Sequence, residues 1–219
     1  MIPVIGIVGT SNSGKTTLIC RVVADLSARG YRVATIKHHH GEFDIDHEGK
    51  DSYKHREAGA ETVLIASPNR VAMVRKLATE LPLQELVGTL VDDVDLVIVE
   101  GYKGEAVPKI EVWREGQPDE TMVCRGDPDW VALVTDFPHD VEVPVLDLNW
   151  PAQVADFIES NYLKGDDKSR VRLVVDGNRI ELNRFAEQTI ANVVRGAIAS
   201  LKGCENPARI RVDILPEEK

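Results

Sequence analysis

Three absences narrow the field before any motif is considered. Cysteine is scarce: Cys20, Cys124 and Cys204 are the only three in 219 residues, and no C-x-x-C spacing joins them. An odd, dispersed set fits reduced thiols in the cytosol better than a disulfide framework or a zinc site. Long apolar runs are missing too, since no uncharged stretch approaches the ~18 to 20 residues that span a bilayer. The opening MIPVIGIVG carries neither a basic n-region nor a cleavage site, so no secretory leader is expected and the expected location is the cytoplasm. Positive charge is in deficit, with 26 Lys and Arg against 36 Asp and Glu for a net charge of −10. Such a surface repels nucleic acid and anionic lipid, so neither is an expected partner.

What is present reads as a globular α/β chain, 43% hydrophobic and 28% charged. IPVIGIV (2–8) is a short β-branched run, read as a buried strand. Leu18, Ile19, Val22, Val23 and Leu26 then form one helical stripe, closed by Gly30, before a second strand in YRVATIK. Strand, helix, strand within about forty residues is the βαβ unit of a parallel sheet. TVLIAS and RVAMV, joined by Pro-Asn, read as a hairpin followed by a helical stretch around 76–90. VDLVIVEG is a buried parallel strand, and PKIEVWR alternates like a strand with one wet face. WVALVTD and VPVLDL supply two more strands, and Pro151 opens a helix at its first position.

The polar break KGDDKS (164–169) divides the chain into a nucleotide-binding domain, 1–164, and a small module, 165–219. The module reads as β-β-α-β: a hairpin turning at Asp176-Gly177-Asn178, a helix over 184–202 capped by Asn183, and a last strand in ARIRVDIL. The fold class is therefore a P-loop NTPase with a mostly parallel sheet flanked by helices, plus this module.

The chemistry begins at IVGTSNSGKTTL (7–18), where Gly9 to Thr16 satisfies G-x-x-x-x-G-K-[ST] in the required strand-loop-helix setting. Its glycines turn backbone N–H groups inward, and the helix start adds positive dipole. Gly9, Asn12, Ser13 and Gly14 shape the cradle, Lys15 would bridge β- and γ-phosphates, Thr16 would ligate Mg²⁺, and Thr17 would reach the α-phosphate. The second metal-side group is Glu100, ending LVIVE where the usual acid is Asp. Thr10 stands where one ATPase subclass has an additional lysine, which sets the partition- and arsenite-type ATPases aside.

Five histidines crowd KHHHGEFDIDHEGKDSYKHREAGAE (37–61), interleaved with Glu42, Asp44, Asp46, Glu48 and Asp51. The segment leaves the second strand at the ligand-binding edge of the sheet. It reads in three ways. In the first it is a switch-like loop, Asp44 or Asp46 orienting water and Mg²⁺ while Lys37, His38 and His40 meet an anionic substrate. In the second it is a divalent-metal site for zinc or nickel. In the third it is a solvated polar loop. Successive histidines on extended backbone point to opposite sides, which weighs against the metal. No N-K-x-D guanine motif occurs; Asp136, ending ALVTD, is the candidate to accept from guanine N1–H and N2–H₂, or else a turn-forming Asp.

Together GTSNSGKTTL, IKHHHGEFDIDHEGKDSYKHREAGA, LVIVEGYK and PKIEVWR resemble the molybdopterin-guanine dinucleotide biosynthesis protein B family over roughly residues 1–160. The resemblance implies a homodimeric, cytosolic GTP-binding protein with weak GTPase activity. Such a protein assists the guanylyltransferase that joins GMP to molybdopterin. It further implies that Gly14, Lys15, Thr16 and Thr17 hold GTP, and that the 37–51 segment and Lys109 face the nucleotide or the pterin phosphate. Three other classes share the P-loop: a nickel-inserting metallochaperone GTPase, a small-molecule kinase, usually with an arginine-rich lid that is not seen here, and a pure binding module whose P-loop is inert.

Overall fold

The computed structural model describes residues 2–39, 41, 43, 46–91, 93–117, 122–163, 171, 173–175, 178–180, 182–199, 201, 210 and 212. They fall into two compact units, 2–164 and 165–219.

The first unit is built on six strands: β1 (Val4–Val8), β2 (Val33–Lys37), β5 (Leu96–Glu100), β6 (Lys109–Val112), β7 (Trp130–Thr135) and β8 (Val145–Asp147). Their order is β2-β5-β1-β6-β7-β8, and every neighbouring pair is parallel. A parallel sheet needs cover on both faces, and the side-chain period of two sorts the strands accordingly. Ile5, Ile7, Leu96 and Ile98 point to one face, where α1 (Lys15–Ala28) and α4 (Pro151–Ile158) bury Leu18, Val22, Leu26, Val154 and Ile158 against them. Val97 and Val99 point to the other, under Leu83 and Val87 of α3 (Leu83–Leu90). Each such side chain contributes about 1.5–3 kcal/mol on leaving water.

Helix α1 ends as expected at Gly30, whose φ of 92° suits only glycine. The Tyr31 N–H donates to Leu26 O and the Gly30 N–H to Ser27 O, which satisfies the last carbonyls. Pro151 is the first residue of α4. The hairpin is β3 (Thr62–Ser67) with β4 (Arg70–Arg75), paired antiparallel around Pro68-Asn69 and following α2 (Asp51–Glu57). Helix α3 is shorter than the 76–90 stretch expected. It starts only after Pro82, which disfavours helical backbone at the residue before it.

The expected wet face of β6 is not there. Lying between β1 and β7, the strand buries all four residues, Lys109 and Glu111 included. Lys109 Nζ sits 2.9 Å from Asp127 Oδ2 and 3.7 Å from Asp129 Oδ2. The Glu111 carboxylate accepts the N–H groups of Val123 at 2.6 Å and Cys124 at 3.1 Å. Two charged residues thus anchor a loop that closes over the sheet.

In the second unit, β9 (Leu173–Val175) pairs antiparallel with β10 (Asn178–Ile180), and α5 (Arg184–Ala199) follows. Asn183 Oδ1 accepts the Ala186 N–H at 2.9 Å, capping the helix as its sequence position suggests. The strand expected in ARIRVDIL falls largely outside the described residues.

Candidate functional site

Six parallel strands bring their C-terminal ends to one edge, and the loop leaving β1 crosses the middle of that edge. Gly9 is obligatory there: with φ of 142°, a Cβ would stand 2.4 Å from Val112 O and 3.0 Å from Ser13 Oγ. Gly14 closes the loop in left-handed conformation, φ 97°, as the N-cap of α1, with no side chain on the first-turn N–H groups. Those donors and the helix dipole face outward together, an arrangement made for anions. Ser13 Oγ is fully buried beside Gly9 and has no hydrogen-bond partner among the described residues.

The loop's polar groups turn on one another. Lys15 Nζ donates to Thr10 O at 2.5 Å, and Gln117 Nε2 donates to Thr10 Oγ1. Burial holds the Lys15 ammonium below the ordinary lysine range; Glu100 opposes this, and Lys103 and Lys37 add to it. Thr16 Oγ1 donates to both oxygens of Glu100, at 3.2 and 3.1 Å, across 84 positions of sequence. Glu100 ends β5, whose register sets it beside Ile7 of β1 and Lys37 of β2. Lys37 Nζ completes the trio 3.2 Å from Glu100 Oε1. A hydroxyl and a carboxylate within reach of a phosphate cradle are hard oxygen donors, the set that Mg²⁺ takes.

Beyond Glu100 the chain turns through Gly101 and Tyr102, the latter strained at φ 55°. His38 stacks on Tyr102 with ring centroids 4.5 Å apart, and its Nε2 is 2.8 Å from Glu80 Oε1. Asp46 is buried and accepts from Ser52 Oγ at 2.7 Å, which ties its loop to the first turn of α2. His40 and Asp44 lie outside the described residues. Among the described residues no cluster of three His, Cys, Asp or Glu could hold a metal ion.

Lys109 does not join this edge. It begins β6 in register with Gly6, toward the opposite end of the sheet from the loop, and is committed to Asp127. Asp136 lies near the edge, and each of its oxygens accepts one bond: Oδ1 the Glu115 N–H at 2.8 Å and Oδ2 that of Arg114 Nε at 3.1 Å. These bonds, the Glu115 N–H foremost, hold its carboxyl below the usual carboxylate range. A cavity of about 230 Å³ opens beside the loop, lined by Gly14, Thr17, Leu18, Arg21, Arg114, Leu148, Asn149 and Pro151. Sequence reasoning missed Arg21, Arg114 and Asn149. Only the position of Arg114 at the end of PKIEVWR, a strand that reaches the same edge, could have signalled one of them.

The family model for molybdopterin guanine dinucleotide synthesis protein B matches residues 4–136. The chain belongs to this family. Two relatives bearing the name molybdopterin-guanine dinucleotide biosynthesis adapter protein align closely. That of Escherichia coli strain K12 is 38% identical over 164 residues, covering 72% of this chain and 92% of its own. That of Haemophilus influenzae is 39% identical over 163 residues, 73% of this chain and 89% of its own. A relative in Methanocaldococcus jannaschii, 25% identical, covers 96% of this chain, so its likeness continues into the second unit. Among solved structures, a crystal structure of molybdopterin-guanine biosynthesis protein B is similar at TM-score 0.57 and 32% identity, over 72% of this chain and 98% of that one. The fold is thus that of the MobB structures, a P-loop α/β sheet flanked by helices.

Proposed function

We propose that this chain is a guanine-nucleotide-binding adapter in molybdopterin-guanine dinucleotide biosynthesis, acting beside the guanylyltransferase that joins GMP to molybdopterin. The adapter role is what family membership supports, and the nucleotide is what the site's chemistry adds to it. One observation carries the proposal: the Thr16 hydroxyl and Glu100 carboxylate meet at 3.1–3.2 Å at the mouth of a phosphate cradle. Mg²⁺ would be held by Thr16 and Glu100, and it supplies neutralisation of phosphate charge. Lys15 leaves Thr10 O for the β- and γ-phosphates, Gly14 and Thr17 take the α-phosphate, and Asn12 and Ser13 shape the turn.

Hydrolysis on this site is slow, because residues 9–16 contain no arginine to neutralise γ-phosphate charge. Asp44 and Asp46, with Lys37, His38 and His40, form the segment that answers to the nucleotide and to the pterin phosphate. The working unit is a homodimer: the β3–β4 hairpin exposes Leu64 and Val71 on one face and Ile65 on the other, apolar strand surface suited to a second copy. Among the described residues no helix is long and apolar enough to cross a membrane, and the proposed location is the cytoplasm.

Calorimetric titration with GTP and ATP, with and without Mg²⁺, tests the proposal, with Lys15→Ala as control. Selective, Mg²⁺-dependent GTP binding that the substitution removes is the expected result. Equal or preferred ATP binding would remove the guanine assignment, and binding of neither nucleotide would end the proposal.

A further inference from the structure

We infer that Arg114, held in place by Asp136, is the residue by which this site selects guanine over adenine. The inference rests on the reading of the site as a nucleotide site and goes on to say which edge of the base is read.

The cavity beside the loop is walled by Gly14 and Thr17, the residues nearest an α-phosphate in the cradle, so a nucleoside joined to that phosphate has its base there. Leu148 and Pro151 offer apolar surface to the faces of a purine, while Arg21, Arg114 and Asn149 are its polar lining. Arg114 differs from Arg21 in being fixed. Its Nε donates to Asp136 Oδ2 at 3.1 Å, and Asp136 is itself fixed by the Glu115 N–H at 2.8 Å. That bond uses Nε and leaves both terminal amino groups as donors, with no partner for either among the described residues.

Two donors in a planar fork match guanine, which shows two adjacent acceptors, O6 and N7. Adenine shows an acceptor at N7 but a donor at N6, which the fork repels. A bidentate contact of this kind discriminates by about ten- to a hundredfold. Asp136 is poorly placed to read the other edge of the base. It is not among the residues lining the cavity, and its Oδ2 is turned to Arg114. Its part is to position Arg114.

The experiment is calorimetry on the full chain with Mg²⁺ and four nucleotides: GTP, ITP, 7-deaza-GTP and ATP. Inosine keeps O6 and N7 but lacks the 2-amino group; the deaza analogue lacks N7 alone. ITP binding within about threefold of GTP, with 7-deaza-GTP and ATP each weaker by about tenfold or more, is expected. Arg114→Gln and Arg114→Lys should both bring GTP and 7-deaza-GTP together, since lysine keeps the charge but not the fork. Asp136→Asn should narrow the same gap without inverting it, and Arg21→Gln should shift all four affinities by a common factor. The inference is overturned if ITP is the weak ligand and 7-deaza-GTP binds like GTP, or if Arg21→Gln rather than Arg114→Gln erases the discrimination. Failure of all four nucleotides to bind would instead remove the nucleotide reading beneath it.

Discussion

Glu100 and Glu111 occupy β5 and β6, the two neighbours of β1, yet one meets side chains at the sheet edge and the other backbone inside the fold. Glu100 ends its strand at the sheet edge, keeps some exposure, and faces partners that can leave it: a threonine hydroxyl and the exposed Lys37 ammonium. Glu111 lies inside its strand, fully buried, and accepts two backbone N–H groups that have nowhere else to go. Burial pushes its carboxyl above the ordinary range, against the pull of those two bonds. The neighbouring Cys124 thiol is pushed up to about 12, chiefly by burial and then by Glu111, so it is inert at neutral pH. A carboxylate with exchangeable partners is free to take a ligand; one pinned by backbone is already part of the structure.

The comparison breaks most visibly by removing each carboxylate in turn. Glu111→Ala strands the Val123 and Cys124 N–H groups in the interior and is expected to cost about 3 kcal/mol of stability. Glu100→Ala is expected to leave stability within about 1 kcal/mol, because its partners reach solvent. Denaturant melts of the two variants against the parent chain measure both. A second substitution sharpens the contrast on the functional side. Gly9→Ala forces a Cβ to within 2.4 Å of Val112 O and strains a φ of 142°, so it should cost about 2 kcal/mol and disrupt phosphate binding together. A stability measurement paired with a GTP titration checks it.

A subtler effect is in pH. The folded-state pKa of Glu111 is raised, so the folded form holds its proton more firmly and the group favours folding at low pH. That contribution fades as pH rises from about 4.3, the unfolded glutamate value, through the folded value. Asp136 runs the other way: its lowered pKa stabilises above about 3.9, and the effect is lost as pH falls through the folded value. Stability-versus-pH curves of Glu111→Gln and Asp136→Asn, each subtracted from the parent, should therefore slope in opposite directions. Smallest of all, Lys37→Ala should change stability by less than about 0.5 kcal/mol, since its side chain is 61% exposed and its pairing is screened.

Much of the candidate site's edge was legible beforehand because it is local. The phosphate loop, its strand and its helix lie in one stretch, and the apolar run ending at Glu100 announces a buried strand by composition alone. That Glu100 would stand near Thr16 followed from the phosphate loop's need for an acid ending a neighbouring strand; the βαβ unit alone would have set β2, not β5, beside β1. Lys109 and Glu111 were misread for a physical reason. Polar-apolar alternation marks a strand with one wet face only if nothing covers that face, and here the 122–129 loop does, held by the very charges that looked solvent-facing. The cavity was illegible for another. Arg21, Arg114 and Asn149 come from α1, the end of β6 and the end of β8, and no spacing in the sequence connects them. Asp136 was placed at the right edge, but its engagement with Arg114 is a matter of side-chain geometry that no pattern reveals.

The most direct test of the division between the two glutamates is the Mg²⁺ dependence of GTP affinity in Glu100→Gln, measured by calorimetry beside the parent chain and Glu111→Gln. Mg²⁺ should tighten GTP binding in the parent and in any folded Glu111→Gln, and should cease to do so in Glu100→Gln while its melting temperature stays unchanged. Undiminished Mg²⁺ dependence in Glu100→Gln, or a large loss of its stability without nucleotide, would contradict the account.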